Sequence, residues 1–185
     1  MGQVVGERVA AYVHDAEDAG PVPQDAGQHV FRRFSRYLES GGHERYAEIR
    51  KALKGLMTEK VGVFRTGEGL QEAVEELAEL KERAGRMALS GRSLVMNQEL
   101  LQFWELDHLL EVSMVIAFGA LARKESRGAH CREDYPKRSP EFHYHTLAYM
   151  TEFGKVTLGK RAIDMSIFDA RGEHHEKFGI IERKY

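Results

Sequence analysis

One long apolar segment constrains this chain more than any other feature of its sequence. No charged residue occurs between Val112 and Ala122, and apolar residues from position 100 onward recur every three or four residues, the period of an α-helix. Asn97 is a suitable N-cap residue. The sequence therefore predicts a helix from Asn97 to about Ser126, ended by Gly128. Its predicted buried stripe consists of Leu100, Phe103, Trp104, Leu106, Leu109, Leu110, Met114, Ala117, Phe118 and Leu121.

The charge-free centre of this helix predicts that other protein covers it on every side. An unpaired carboxylate placed there would lose its hydration without gaining a partner. We therefore expect the substitution Ile116→Asp to leave little folded protein.

Two further amphipathic patterns, at residues 44–60 and 66–85, predict the helices that pack against the long one. Thr66 is a suitable N-cap for the second of them. The connection at residues 62–65 is short, which favours an antiparallel pair. The predicted fold is mainly α: an antiparallel, spectrin-repeat-like three-helix bundle with a small β hairpin or sheet near the C-terminus.

Changes in composition along the chain divide it into four predicted parts. Residues 1–16 form an N-terminal helix, and residues 17–28 form a linker rich in Pro and Gly. The bundle occupies residues 29–136, where a short helix at 29–39 precedes the three long ones. Residues 137–185 contain β-forming residues, with strands expected at 156–158 and 163–168, and a charged tail.

Composition and motifs exclude several kinds of site. The net charge is −2, with 27 basic and 29 acidic residues, which argues against nucleic-acid binding. The glycines at 62, 67 and 69 lack the spacing of a dinucleotide-binding loop. A metal shared by His143 and His145 with His130 or Cys131 is the alternative interpretation of these histidines, but their spacing matches no standard zinc pattern. We predict no catalytic, cofactor-binding or metal residue here, and no direct membrane insertion.

The densest charged stretch follows the long helix: Arg123-Lys-Glu-Ser-Arg-Gly-Ala-His130, then Arg132-Glu-Asp-Tyr-Pro136. It resembles the signature near the C-terminus of the flavoprotein subunit of succinate dehydrogenase and fumarate reductase; L-aspartate oxidase looks similar here. Gly62-Val-Phe-Arg-Thr-Gly-Glu68 and His145-Thr-Leu-Ala148 follow the order of that family. The resemblance covers essentially the whole chain.

The resemblance implies that this chain is the C-terminal region of a larger FAD-dependent enzyme that interconverts succinate and fumarate. The flavin and substrate residues of the family lie upstream, so FAD is expected in the full-length protein and no cofactor in this segment. The helix at 1–16 would be a remnant of the flavin-binding domain. The implied partners are that domain and an iron-sulfur subunit, in an assembly on the cytoplasmic face of the membrane.

Two other functions remain open from the sequence: the C-terminal domain of L-aspartate oxidase, and a free-standing helical module that binds another protein. The charged stretch itself has two interpretations. It could be a salt-bridge network on the surface, or a docking site for the flavin-binding domain, which planar guanidinium groups suit. We predict docking, with little effect on the stability of the chain itself, through Arg127, His130, Arg132 and Asp134.

Overall fold

The computed structural model describes residues 2–17 and 20–164. In this part of the chain the fold is mainly α, as predicted. The helices are α1 (Gly2–Asp15), α2 (Gln28–Glu39), α3 (Tyr46–Glu59), α4 (Gly67–Ala84) and α5 (Gln98–Ala122). The strands are β1 (Phe64–Arg65), β2 (Cys131–Arg132), β3 (Tyr144–Glu152) and β4 (Lys155–Ala162). A short 3-10 helix, Pro140–Phe142, precedes β3.

The chain separates into two units, Met1–Ser35 and Arg36–Tyr185. The first contains α1, which has no buried residue, and the beginning of α2, which starts one residue before the predicted position. Residues 20–27 form bends and turns, while residues 18 and 19 of the predicted linker lie outside the described residues. The predicted domain boundaries after residues 16, 28 and 136 stay predictions.

Ion pairs at both ends of α3 and α4 show that the two helices are antiparallel. Lys60, just after α3, contacts Glu72 in the first half of α4 and Glu76 at its middle, each at 2.6 Å. Glu44, just before α3, accepts two hydrogen bonds from Arg83 near the end of α4, at 3.0 and 2.9 Å. The start of one helix therefore lies beside the end of the other, as the short connection predicts.

The core lies between α3, α4 and α5. Each helix contributes one apolar stripe, and burying a Leu, Ile or Phe side chain stabilises the fold by about 1.5–3 kcal/mol. Polar side chains lie at the edge of this core. Asp107 of α5 is only 8% exposed. It accepts hydrogen bonds from Tyr37, at 2.5 Å, and from Lys81. The fully buried apolar side chains, none more than 1% exposed, are Ile49, Leu70, Ala73, Leu77, Met87, Phe103, Leu106, Leu110, Met114 and Ala117.

Helix α5 begins as predicted and ends earlier. The side chain of Asn97 accepts a hydrogen bond from the amide of Leu100 at 3.0 Å, which confirms the N-cap. The last helical residue is Ala122, and the next residue is extended. Gly128 is not the C-cap: its φ of +60° serves a tight turn in which Arg127 and His130 exchange backbone hydrogen bonds.

One face of α5 is open, contrary to expectation. Leu109, Val112 and Ile116 are 44%, 56% and 46% exposed, because the two other bundle helices cover only the opposite stripe. An open groove of about 750 Å³ runs between α3 and α5, with Leu109 on its α5 side. None of the helices described in residues 2–17 and 20–164 combines the length and apolar character needed to span a bilayer.

Strands β3 and β4 form the predicted hairpin. They are antiparallel, with Tyr144 opposite Ala162 and Glu152 opposite Lys155. Gly154 has a φ of +81°, a conformation that the turn requires and that glycine adopts without strain. The side chains of Met150, Phe153 and Val156 pack against the helical core. Of the strand predicted at 163–168, residues 163 and 164 are not in a strand, and residues 165–168, like the charged tail, lie outside the described residues.

The open face of α5 reverses the expected effect of Ile116→Asp. Because Ile116 is half exposed, an aspartate there keeps its hydration, and the free energy of unfolding should fall by at most about 1 kcal/mol. Met114 lies two residues earlier and is fully buried, so Met114→Asp should prevent folding. Chemical denaturation of both variants tests this, and equal damage from the two would show that Ile116 is covered.

Candidate functional site

The charged stretch after α5 is held beside the connection between α3 and α4 by a short parallel sheet. The amide of Cys131 donates to the carbonyl of Val63 at 3.1 Å, and that of Glu133 donates to the carbonyl of Arg65 at 3.0 Å. This register places Arg65 opposite Arg132. The sequence predicts residues 62–65 only as a connection and does not predict this pairing of β1 with β2.

Arg132 caps the end of α5 from inside the protein. The last carbonyls of a helix have no partner within the helix. One nitrogen of the Arg132 side chain, Nη1, donates to the carbonyls of Ala120 and Leu121 at 3.1 Å and to that of Arg123 at 3.2 Å. Arg132 is 2% exposed. The helix therefore ends at Ala122 because this guanidinium satisfies its carbonyls there.

The other edge of the same guanidinium binds Asp134. Nε and Nη2 each donate to one carboxylate oxygen at 2.7 Å, and Asp134 also accepts from the amide of Gly67, the first residue of α4, at 3.1 Å. The hydrogen bonds from Arg132 lower the pKa of Asp134 to about 2. A Cβ atom on Gly67 would lie 2.9 Å from both side chains. Arg132 and Asp134 thus join the end of α5 to the start of α4.

Glu125 is the centre of a second group of ion pairs. Its side chain is fully buried and accepts hydrogen bonds from Arg123 at 2.5 Å, from Arg127 at 2.8 and 3.1 Å and from the amide of Ser139 at 2.8 Å. Burial by itself would raise the pKa of Glu125, but the hydrogen bonds from Arg127, Ser139 and Arg123 outweigh it and lower the pKa. A charged carboxylate is therefore stable in this buried position.

Arg123 connects this group to the hairpin. Its guanidinium donates to the carbonyls of Phe142 and Tyr144, both at 2.8 Å, and to the hydroxyl of Thr146 at 3.1 Å. It also lies over the ring of Tyr144, 5.0 Å from the centroid. The start of β3 is thereby fixed relative to the end of α5.

His130 lies between two arginines and is held neutral. Its Nε2 is 3.0 Å from the carbonyl of Arg123, and its Nδ1 is 3.3 Å from Nη1 of Arg65. A carbonyl only accepts and a guanidinium only donates, so the ring must carry its proton on Nε2 and a lone pair on Nδ1. Burial lowers the pKa of His130, and the charges of Arg65, Arg132 and Arg123 lower it further. The hydrogen bond to the Arg123 carbonyl opposes this effect only in part.

The histidines and the cysteine do not assemble into a metal site in the part of the chain that the structure describes. There, no group of three or more His, Cys, Asp or Glu side chains has the geometry to hold an ion. Cys131 is buried, whereas His143 and His145 are exposed. A tail segment that contains His174 and His175 lies outside the described residues.

The four predicted docking residues, Arg127, His130, Arg132 and Asp134, lie in one cluster at one end of the bundle. Their docking role stays a prediction. Their exposure differs: Arg132 faces inward, while the side chain of Asp134 is 37% exposed. The expectation that this stretch adds little to the stability of the chain conflicts with the burial of Arg132 and Glu125. Three further residues belong to this cluster and were not predicted from the sequence: Arg65, Arg123 and Glu125. All three lie in the segments that carry the family resemblance.

Comparison with known proteins identifies the family. The profile described as "Fumarate reductase flavoprotein C-term" matches residues 50–185. The chain is 34% identical over 167 residues to the succinate dehydrogenase flavoprotein subunit of Rickettsia bellii, covering 90% of this chain and 28% of that subunit. It is 38% identical over 156 residues to the fumarate reductase flavoprotein subunit of Haemophilus influenzae, covering 83% and 26%.

A solved structure shares the fold as well. The structure of Escherichia coli quinol fumarate reductase superposes with a TM-score of 0.77 at 34% identity, covering 88% of this chain and 28% of that chain. The present chain thus spans a little over a quarter of the length of the relatives it matches.

The buried cap on α5 predicts a large stability loss in Arg132→Met. This variant removes the donor to the carbonyls of Ala120 and Leu121 at the end of the helix, and it leaves the carboxylate of Asp134 without its guanidinium. The free energy of unfolding should therefore fall by about 2–4 kcal/mol. Arg50→Met is the matched control, since Arg50 is exposed on α3 and forms no ion pair with a described residue. Urea denaturation measures both. Similar stabilities of the two variants would contradict the capping role of Arg132.

The lowered pKa of His130 predicts a loss of stability in mild acid. The unfolded chain binds a proton at this residue near pH 6.5, whereas the folded chain resists it. The contribution of His130 is therefore complete above about pH 6.5 and is lost as the pH falls toward the lower folded pKa. Denaturation between pH 7.5 and about 5 should show this slope, and His130→Gln should reduce it. His145→Gln, at an exposed position, should not.

Proposed function

Because the chain belongs to the fumarate reductase flavoprotein C-terminal family, we propose that it is the C-terminal helical domain of an FAD-dependent flavoprotein subunit. The complete subunit would interconvert succinate and fumarate by hydride transfer at the flavin. The observation that carries this proposal is the family match over residues 50–185, together with identities of 34% and 38% to the two named subunits.

The residues described here do not fit a flavin site. The one place where a strand leads into a glycine-bearing helix start is β1 followed by α4. Two of the free amides there already have acceptors: that of Gly67 binds Asp134, and that of Gly69 binds the side chain of Thr66 at 3.1 Å. The carboxylate of Asp134 also occupies the position that a phosphate would need, and its negative charge would repel one. FAD would therefore be held by other parts of the subunit.

The contribution of this chain would be to dock as a preformed unit on the flavin-binding domain. The ion pairs of Arg132 with Asp134 and of Arg127 with Glu125 keep the charged end of the bundle in one conformation, which lowers the entropic cost of association. Asp134 is partly exposed and would face the flavin-binding domain. Arg132 would act by holding Asp134 in place. His130 and Arg127 would hold the neighbouring backbone in place.

The partners and location follow from the same proposal. The E. coli relative is a quinol fumarate reductase. By analogy, we propose that electrons pass between the flavin and an iron-sulfur subunit. The assembly would be peripheral on the inner, cytoplasmic face of the membrane. The names of the relatives favour this function over L-aspartate oxidase and over a free-standing interaction module.

A hybrid subunit tests the proposed function. In the H. influenzae fumarate reductase flavoprotein subunit, the segment that matches this chain is replaced by the present chain. The hybrid subunit should bind FAD and reduce fumarate with a reduced viologen dye, whereas a subunit truncated before the segment should do neither. The 185-residue chain by itself should be colourless. A hybrid that folds but binds no flavin would overturn the proposal.

A further inference from the structure

Arg65 differs from the other arginines at this end of the bundle because it has no anionic partner among the described residues. Arg123 and Arg127 share the carboxylate of Glu125, and Arg132 binds Asp134. Arg65 instead donates a hydrogen bond from Nη1 to the neutral ring of His130, at 3.3 Å. Its Nε is covered by protein and has no hydrogen-bond partner.

This arrangement costs free energy in the chain by itself. Arg65 is partly buried, and both burial and the charge of Arg132 lower its pKa, which means that the positive charge is disfavoured here. A buried N–H group without an acceptor adds a further penalty. Among the buried side-chain nitrogen and oxygen atoms of the described residues, Nε of Arg65 is the one without a hydrogen-bond partner. A buried polar group without a partner requires an explanation, and an acceptor supplied by another part of the subunit would provide one.

The two residues before Arg65 are apolar and exposed. Val63 and Phe64 are 47% and 61% exposed, and they lie in the same connection between α3 and α4 as Arg65. An arginine flanked by exposed apolar side chains is characteristic of a protein interface, where Arg and aromatic residues are enriched. A free inorganic anion would leave Val63 and Phe64 in water.

We propose that Arg65 is an anchor through which this chain binds a carboxylate on the flavin-binding part of the longer polypeptide, with Val63 and Phe64 packed against the same surface. This inference rests on the proposed function. The partner is that part of the subunit because the chain spans only 28% of the length of its relative from R. bellii. A carboxylate fits because it can accept hydrogen bonds from Nε and Nη2 of one guanidinium together, as Asp134 does from Arg132. The Nε of Arg65 has no such acceptor among the described residues.

Binding would rotate the Arg65 side chain toward the partner and release Nε from its covered position. His130 would remain neutral and would still be able to accept a hydrogen bond from Arg65. The interaction is an ion pair with two N–H···O hydrogen bonds, and no covalent bond changes.

Arg65→Met in the 185-residue chain tests the first half of the inference. Methionine removes the charge and keeps much of the apolar volume, so the melting temperature should stay the same or rise by about 1–4 °C. Arg132→Met should lower it by more than about 5 °C, and the exposed control Arg50→Met should leave it unchanged. A loss with Arg65→Met as large as that with Arg132→Met would make Arg65 an internal structural residue and overturn the inference.

The hybrid subunit tests the second half. There, Arg65→Met and Arg65→Glu should lower flavin content and fumarate reduction at least about tenfold, since a desolvated arginine that loses its interfacial partner is costly. Arg50→Met and Arg50→Glu should leave both unchanged. If the unmodified hybrid binds no flavin, the proposed function fails and the inference fails with it. If the unmodified hybrid is active and the Arg65 variants are equally active, only the inference fails.

A photo-crosslinking amino acid in place of Phe64 identifies the partner surface in the same hybrid. The expected product joins position 64 to a peptide of the flavin-binding part that contains Asp or Glu. Crosslinks confined to residues 165–185 of this chain would show that its own tail is the partner, and would overturn the inference.

Discussion

The guanidinium of Arg132 is the interaction on which the rest of the structure depends. A helix of 25 residues must end somewhere, and its last carbonyls need donors wherever they are buried. Arg132 supplies donors to two of them and to the carbonyl of Arg123 just after the helix. Its other edge holds Asp134, which in turn binds the first amide of α4. One side chain thereby sets the end of α5, the start of α4 and the position of β2.

The ion pairs around it obey the same physical rule, that a charge can be buried when each of its hydrogen-bonding groups has a partner. Glu125 meets this condition with donors from Arg123, Arg127 and Ser139. His130 meets it by remaining neutral, with one nitrogen donating and the other accepting. The result is an end of the bundle whose conformation is fixed by contacts within the chain, which suits the docking role proposed for it.

Two surfaces are left unsatisfied in the described part of the chain. The outer face of α5 exposes Val112 and Ile116. The connection before α4 exposes Phe64 next to Arg65, which has no anionic partner among the described residues. Both are costly in water, one through apolar area and the other through an unpaired charge. The chain spans little more than a quarter of its relatives' length, and in the proposed subunit the flavin-binding part would cover these surfaces.

The sequence by itself determined what depends on near neighbours. The stripes of α3 and α4, most of the stripe of α5 and the N-caps Thr66 and Asn97 are patterns within a few residues, and all were predictable. The residues of the charged stretch also sufficed to predict the family. Only the tertiary structure decided that α5 ends at Ala122, that β1 pairs with β2, that Arg132 faces inward and that Ile116 does not. Each of these outcomes depends on groups far apart along the chain, such as Arg65 and His130. A charged residue at a helix end has the same local pattern whether it faces water or caps the helix from within, and only the position of its distant partners distinguishes the two.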